Sequence, residues 1–204
     1  MTPEELFSKI LSEKDVSDKV ARIFEIGLLV KDRVVGYFPY SIPEKFLGSV
    51  GIIFPVKNLY GEVVSFYLRR PNNVLPKYDS LPFEKTLLFA LDKTFPFIYR
   101  NGAIVVEGPF DVFTLISNGI LNVCALLGTN INTTQICLLR RFTKKCIVML
   151  DGDSMGRTKS IDVFNKFKEF DFEPEVVYLP TGYDPDSYIK TYGKERFNEI
   201  LVNS

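Results

Sequence analysis

The spacing of hydrophobic and polar positions changes twice along this chain of 204 residues. From Thr2 to about Val30 the apolar residues recur at helical intervals, and Thr2-Pro3 and Ser17-Asp18 have the composition of helix N-termini. From Arg33 to Arg70 the apolar runs are short and broken by proline and glycine, which is typical of strands. From Ala103 onward, strand-length apolar runs alternate with helical segments. The chain therefore contains two regions of different architecture.

Within the first region, the segment from Val50 to Arg70 predicts a β-hairpin that turns at residues 58–61, where the sequence reads Asn-Leu-Tyr-Gly. Residues 71–82 contain three prolines and predict a loop. The apolar spacing from Phe83 to Leu91 predicts a short helix. Together these features indicate a small α+β subdomain over residues 1–101.

The second region, residues 102–204, predicts a parallel sheet. Its apolar runs lie at 103–107, 122–128, 145–151 and 175–180, and helical segments follow them at 110–117, 134–142, 156–170 and 185–201. Strands buried on both faces and joined by helical crossovers form a parallel, right-handed sheet. The fold class is α/β, with helices that flank the sheet. The smaller subdomain precedes the sheet in the sequence. The boundary falls near Asn101-Gly102.

Carboxylates follow three of these four strands. The first strand ends in Glu107, the third in Asp151 and Asp153, and the fourth leads into Asp184 and Asp186. Carboxyl ends of parallel strands meet at one sheet edge, where ligands of open α/β sheets bind. Because gathered like charges repel, a divalent cation is expected among them, and ligand sets of oxygen alone favour Mg²⁺ or Mn²⁺.

Each acidic motif alone has a simpler explanation. A strand-to-helix turn with an acid near the helix N-terminus accounts for Glu107 and Asp111, and the Asp184–Ser187 segment is an ordinary helix start. What favours a functional site is that all three motifs fall at strand ends. Gly108 and Gly152 would then allow backbone or phosphate to approach closely.

Composition excludes several kinds of chemistry. Lysine plus arginine equals aspartate plus glutamate at 25 each, so the charge count shows no basic signature of nucleic-acid binding, although acids can cancel a basic face in such a count. The chain has no histidine and three widely spaced cysteines, which excludes zinc sites of the usual kinds and histidine-based catalysis. The cysteines are expected to be buried free thiols. No apolar run is long enough to span a membrane, the N-terminus lacks a signal-peptide pattern, and a cytoplasmic location is expected.

The motifs "VVEGPFDVFTL", "ALLGTNINTTQICLLRR", "MLDGDSMGR" and "LPTGYDPDSYI" resemble, in this order, the Toprim domain of bacterial DnaG-type primases. The preceding "LSEKDVSDKVARIFEIGLL", "GIIFPVKNLYGEVVSFYLRR" and "PKYDSLPFEKTLLFAL" are similar to the helical segment, the hairpin and the lysine-bearing loop of that family's catalytic core. The resemblance covers roughly residues 8 to 192. It implies a Rossmann-like Toprim sheet and a nucleotidyltransferase that makes short primers from NTPs on single-stranded DNA by two-metal phosphoryl transfer.

The resemblance also implies roles for individual residues. The metal-holding residues would be Glu107, Asp151, Asp153, Asp184 and Asp186, and the catalytic group would comprise Glu107, Asp151, Asp153 and Asp111, with Asp111 acting in support from its helix. Nucleotide contacts would come from Lys77, Lys85 and Arg157, and contacts to the template from Arg69, Arg70, Lys77 and Lys85. For the basic residues, a solvated loop and hairpin end remains the alternative explanation.

The sequence departs from the family's pattern at several points. Gly51 stands where the family has an arginine, and Ser80 is the nearest equivalent of an asparagine. The resemblance includes neither a zinc-binding domain nor a helicase-interacting domain. The expectation is therefore a minimal primase, which starts primers alone or with a replicative helicase or a separate zinc-domain protein.

Two other functions remain open on the sequence. A Toprim nuclease would use the same acids to cleave DNA or structured RNA without NTPs, but it leaves the first hundred residues unexplained. A non-catalytic module that binds single strands would not need the acids, which repel phosphates when no metal is bound. A topoisomerase is a weaker alternative, because no second large domain is present to carry a nucleophilic tyrosine.

Overall fold

A computed structural model describes residues 1–84, 86–128 and 130–202 as two compact units, Met1–Glu84 and the remainder of the chain. The helices of the first unit are α1 (Pro3–Glu13) and α2 (Asp18–Ile23), with a single 3₁₀ turn at Glu44–Phe46. Its strands are β1 (Gly27–Lys31), β2 (Arg33–Gly36), β3 (Ser49–Lys57), β4 (Val63–Arg69) and β5 (Tyr78–Ser80).

The first unit is built around an antiparallel sheet with the order β2-β1-β3-β4-β5. Its core includes Leu29, Phe46, Ile53 and Leu68, each of which is fully buried. The predicted helix starts are confirmed: Thr2 and Glu5 form a reciprocal capping box on α1, and the Ser17 side chain accepts a hydrogen bond from the backbone at the start of α2. The predicted hairpin is also confirmed as β3 and β4.

The second unit alternates helices and strands. Its helices are α3 (Leu91–Asn101), α4 (Pro109–Ser117), α5 (Thr133–Arg140), α6 (Ser154–Glu169) and α7 (Pro185–Val202), and its strands are β6 (Ala103–Val106), β7 (Val123–Ala125), β8 (Lys145–Val148) and β9 (Glu173–Val176). The strands pair in parallel in the order β7-β6-β8-β9. All four residues of β6 are buried, as expected for a central strand covered on both faces. The α/β fold class with its N-terminal α+β subdomain is confirmed.

The helix predicted over Phe83 to Leu91 is wrong. Phe89 is extended and exchanges two backbone hydrogen bonds with Ala125 of β7, at 2.8 and 3.1 Å. Ala90 then adopts a left-handed conformation (φ 70°), and α3 begins at Leu91. The prediction of helical structure up to about Val30 is also wrong at its end, because Gly27–Lys31 forms a strand that pairs with β3. A strand-forming partner far along the chain overrides the local pattern in both places.

The strand predicted at 175–180 lies earlier, at Glu173–Val176, where it pairs with β8. Along the chain, the first compact unit ends at Glu84, whereas the predicted boundary lies near Asn101. Helix α3 packs on β6 and β7 and therefore belongs to the second unit. The division of roles between residues 1–101 and 102–204 stays a prediction.

The cysteines follow the expectation only in part. All three are free thiols, and Cys124 and Cys146 are buried, but Cys137 is exposed on α5. None of the helices in the described part of the chain combines the length and the hydrophobicity that crossing a membrane requires.

Candidate active site at the carboxyl edge of the parallel sheet

The strand order creates a crevice between β6 and β8. From β6 the chain moves outward to β7, and then returns across β6 to form β8 on its other side. The crossover helices therefore leave the sheet in opposite directions at this point, and ligands bind at such a switch point beyond the carboxyl ends of the strands. Glu107 directly follows β6, and Asp151 lies just beyond the end of β8. The topology thus brings these two carboxylates to the same crevice.

The surroundings of Asp151 at this edge raise the pKa of its carboxyl group. It is half-buried, and burial together with the negative charges of Glu107, Asp184 and Asp153 raises its pKa to about 6. The charges that raise this pKa come from residues that follow three different strands, β6, β8 and β9. The same edge holds a small open pocket of about 130 Å³, which is lined by Asp151, Asp153, Gly182, Tyr183 and Asp184.

Asp153 and Asp184 are fixed by the helices that follow them. Asp153 caps α6 by accepting a hydrogen bond from the backbone N–H of Gly156 at 2.7 Å. Asp184 accepts one from the backbone N–H of Ser187 at 2.7 Å, at the start of α7. Each carboxylate has further lone pairs beyond the one used in its cap. Capping therefore orients both side chains without using up their capacity to bind a cation.

Asp111 and Asp186 form a buried pair behind this edge. Asp111 accepts hydrogen bonds from the backbone N–H of Gly108 at 3.0 Å and of Asp186 at 3.3 Å. Burial, followed by the charges of Asp184 and Asp151, raises the pKa of Asp111 well above its ordinary value. Asp186 accepts a hydrogen bond from Thr114 at 2.7 Å and is ion-paired with Lys190. These contacts join the start of α4 to the start of α7.

Two glycines permit the close packing of the loops that carry the acids. A Cβ on Gly152 would lie 2.3 Å from the carbonyl oxygen of Pro180, and one on Gly156 would lie 2.0 Å from that of Asp151. Gly152 also donates a hydrogen bond to the carbonyl of Tyr183 at 2.8 Å. The atoms that approach Gly152 closely are therefore backbone atoms of the neighbouring loop. At Gly108 a Cβ would meet only the Asp111 carboxylate, at an ordinary 3.5 Å.

Arg157 connects the same loops through hydrogen bonds. Its guanidinium donates to the carbonyl of Gly152 at 3.4 Å and to that of Leu179 at 3.2 Å, and it lies over the ring of Tyr178. These bonds link the segment after β8 to the segment after β9. A contact between Arg157 and a triphosphate stays a prediction.

Three of the basic residues predicted to contact nucleotide or template lie in and around the β4–β5 hairpin of the first unit, namely Arg69, Arg70 and Lys77. Arg70 forms an ion pair with Asp79 at 2.8 Å, and Arg69 donates to the side chain of Asn72 at 3.3 Å. The Lys77 ammonium lies 5.7 Å from the centre of the Tyr78 ring and is exposed. Lys85 lies outside the described residues. Their proposed roles remain predictions.

The acids at this edge are candidate ligands for a metal ion. Across residues 1–84, 86–128 and 130–202, no three His, Cys, Asp or Glu side chains come together as a ready-made metal site. The donors around Asp151 nevertheless fit Mg²⁺ or Mn²⁺, because all are carboxylates and their crowding raises the pKa of Asp151. A cation would relieve that repulsion.

Sequence reasoning missed Lys159 and Gly156. Lys159 forms an ion pair with Glu107, Nζ to Oε1, at 3.1 Å. Its place on the second turn of a helix that starts directly after Asp153 was a usable signal, but a helical lysine is usually solvated. For Gly156, nothing in the local sequence indicates that a backbone oxygen lies against it.

Comparison with known proteins agrees with this geometry. Residues 104–189, which span the parallel sheet and the acidic edge, match the Toprim-like family. This part of the chain is therefore similar to Toprim-like domains.

Over nearly its whole length, the chain matches the catalytic core of bacterial DnaG-type primases. It is 40% identical to a DNA primase of Aquifex aeolicus over 97% of this chain and 45% of that protein. A crystal structure of the Aquifex aeolicus primase with its zinc-binding and RNA polymerase domains has a TM-score of 0.82 and 33% identity, covering 97% of this chain and 55% of that one. A DnaG catalytic domain bound to ssDNA has a TM-score of 0.76 and 25% identity, covering 96% and 70%. The chain thus spans less than half of the curated Aquifex relative.

Proposed function

We propose that this chain is the catalytic core of a DNA primase, a nucleotidyltransferase that synthesises short RNA primers from NTPs on single-stranded DNA. The observation that carries the proposal is the acidic edge around Asp151, where carboxylates from three strand ends share one crevice. It lies in a chain that resembles primase catalytic cores over both of its units. This resemblance also accounts for the first unit, which a Toprim nuclease leaves unexplained.

The cation-holding residues would be Glu107, Asp151, Asp153 and Asp184. Two bound Mg²⁺ or Mn²⁺ ions would supply Lewis-acid chemistry, which would make a primer 3′-hydroxyl more acidic and offset charge on the phosphates of the incoming nucleotide. The chain's part is to hold the carboxylates in place. Asp153 and Asp184 are oriented by their helix caps, and Asp151 is kept half-buried among them.

Asp111 and Asp186 would support this arrangement. Asp111 accepts hydrogen bonds from the backbone at the start of both helices, and burial and the neighbouring acids raise its pKa. Asp186 is ion-paired with Lys190 and accepts a hydrogen bond from Thr114, both through Oδ1, so a cation at that oxygen would compete with both contacts. We assign Asp111 to positioning and keep Asp186 as a candidate ligand.

Nucleotide and template contacts would come from basic side chains. Arg69, Arg70, Lys77 and Lys85 would bind phosphates of the template, and Lys77, Lys85 and Arg157 those of the nucleotide. The structural relative bound to ssDNA supports a single-stranded template as substrate. On this proposal residues 1–101 contribute template binding and residues 102–204 the chemistry. The partners would be a replicative helicase or a separate zinc-domain protein, in the cytoplasm.

Primer synthesis is tested by incubating the chain with single-stranded DNA, labelled NTPs and Mg²⁺ or Mn²⁺, and resolving the products on a denaturing gel. Short oligomers are expected, and the Asp151→Asn/Asp153→Asn variant should produce about a thousandfold less. Asp162→Asn is a matched control, because it removes a charge from the exposed part of α6. It should retain full activity.

The same assay separates primer synthesis from nuclease action. Omitting NTPs should abolish all product formation and leave the DNA intact. Metal-dependent cleavage of DNA or RNA without NTPs, lost in the Asp151/Asp153 variant, would replace the primase assignment by a nuclease. Absence of oligomers, with a helicase and a zinc-domain protein each added, would remove the proposal's main support.

A further inference from the structure

Lys159 lies within the acidic edge although it belongs to none of the motifs that define it. It occupies the second turn of α6, and its Nζ is 3.1 Å from Oε1 of Glu107. The exposed fractions of the two side chains are 16% for Lys159 and 28% for Glu107. This ion pair is therefore largely shielded from solvent, unlike most surface salt bridges.

The contact with Glu107 places the positive charge of Lys159 at the same sheet edge as Asp151. Ordering a lysine and removing much of its hydration is costly, and nearby carboxylates offset that cost. The ammonium thus meets the same crowded negative charge that a divalent cation would meet.

Another lysine on the same helix behaves differently. Lys166 is also partly buried, but its Nζ binds the backbone carbonyl of Ile131 at 3.0 Å. Lysines on α6 are thus not drawn to acids by their place on the helix alone. The contact of Lys159 with Glu107 is specific to the carboxyl edge of the sheet.

We propose that the Lys159 ammonium is a built-in counter-ion of the acidic edge, which partly neutralises the carboxylates before a divalent cation binds and leaves Glu107 when one does. This inference rests on the proposed function only in taking the acidic edge as the cation site. Lys159 is a positioning residue here. It keeps Glu107 in the crevice, and it sets the concentration at which a divalent cation displaces the ammonium from Glu107.

The inference predicts two effects of opposite sign when the charge is removed. Without the ammonium, the metal-free protein has an uncompensated cluster of acids, so Lys159→Met should lower its melting temperature. A divalent cation then binds without competition, so Mn²⁺ should bind about tenfold more tightly. A side chain with a merely structural role would lower the melting temperature without tightening metal binding.

The experiment measures both quantities on the full chain without nucleotide or DNA. Melting is followed in EDTA, and Mn²⁺ binding is measured by titration with the metal alone, using electron paramagnetic resonance of free Mn²⁺. Lys159→Arg, which keeps the charge, should resemble the wild type in both measurements. Lys166→Met is the matched control, because it can affect melting but should leave Mn²⁺ affinity unchanged. If Lys159→Met does not fold, Lys159→Gln replaces it.

Unchanged or weaker Mn²⁺ binding in the neutral Lys159 variant would overturn the inference and leave the proposed function standing, provided that the wild type binds Mn²⁺ through Asp151 and Asp153. A wild type that binds no Mn²⁺ would overturn the proposed function, and the counter-ion role with it. Tighter Mn²⁺ binding combined with a lower metal-free melting temperature supports the inference.

Discussion

The two ends of the parallel sheet both carry acids beside a pocket, but they differ in what surrounds those acids. At the amino end, a pocket of about 210 Å³ is lined by residues that include Lys145, Glu173 and Glu175, and these three side chains are exposed to solvent. At the carboxyl end, the pocket is only about 130 Å³, yet burial and neighbouring charges raise the pKa of Asp151 to about 6. Crowded, half-buried carboxylates therefore identify the candidate site better than pocket size does.

The largest expected contrast is between two glutamates at opposite ends of the sheet. Glu107→Gln removes a carboxylate from the crevice and should reduce primer synthesis about a hundredfold or more. Glu175→Gln changes the amino-end pocket in the same chemical way and should leave primer synthesis unchanged. Rates of primer synthesis at saturating NTP check both variants. Equal losses in the two variants would break the distinction between the two ends.

The next contrast concerns the glycines at the strand ends. Gly156→Ala places a methyl group against the Asp151 carbonyl, where a Cβ would be 2.0 Å away, and should destabilise the protein by about 2–3 kcal/mol. Gly108→Ala, whose Cβ would have only an ordinary contact, should change stability by less than about 0.5 kcal/mol. Urea unfolding measures both free energies. Similar values would show that the close packing around Asp151 is not required.

A smaller effect is expected from pH in the metal-free protein. Because the folded-state pKa of Asp151 is raised to about 6, above its ordinary value near 3.8, the folded state retains the proton longer than the unfolded chain does. Stability from this group is thus fully present below about pH 4 and is lost as the pH rises toward 6. After allowance for solvent screening, the loss should be about 1–2 kcal/mol.

This pH dependence is isolated by comparing variants in EDTA. The difference in unfolding free energy between the wild type and Asp151→Asn should change between pH 4 and pH 6.5, with Asp151→Asn gaining relative stability as the pH rises. A difference that stays constant over this range would mean that Asp151 is not crowded by its neighbours.

The acidic edge was predictable because a simple rule places it. Parallel strands deliver their following residues to one edge, so Glu107, Asp151 and Asp184 could be brought together from their order in the chain alone. The N-termini of α1 and α2 and the β3–β4 hairpin were predictable for a similar reason, since each depends on residues close together in sequence.

Features that depend on distant partners could not be predicted. Phe89 is extended because Ala125 pairs with it, although the local apolar spacing favours a helix. Lys159 is held by Glu107, which lies 52 residues away in the chain. Arg157, interpreted from its motif as a triphosphate ligand, has its guanidinium bonded to two backbone carbonyls. Each of these contacts follows from packing rather than from a local pattern.

Most of these predictions depend on one claim, that the carboxylates around Asp151 form a divalent-cation site. The most direct test is thermal melting of the wild type and of Asp151→Asn/Asp153→Asn during titration with Mg²⁺ or Mn²⁺. The wild type should gain about 2.7 kcal/mol of stability at a cation concentration of about 100 Kd, and the variant should gain none. Equal stabilisation of both proteins, or none of the wild type, would contradict the claim.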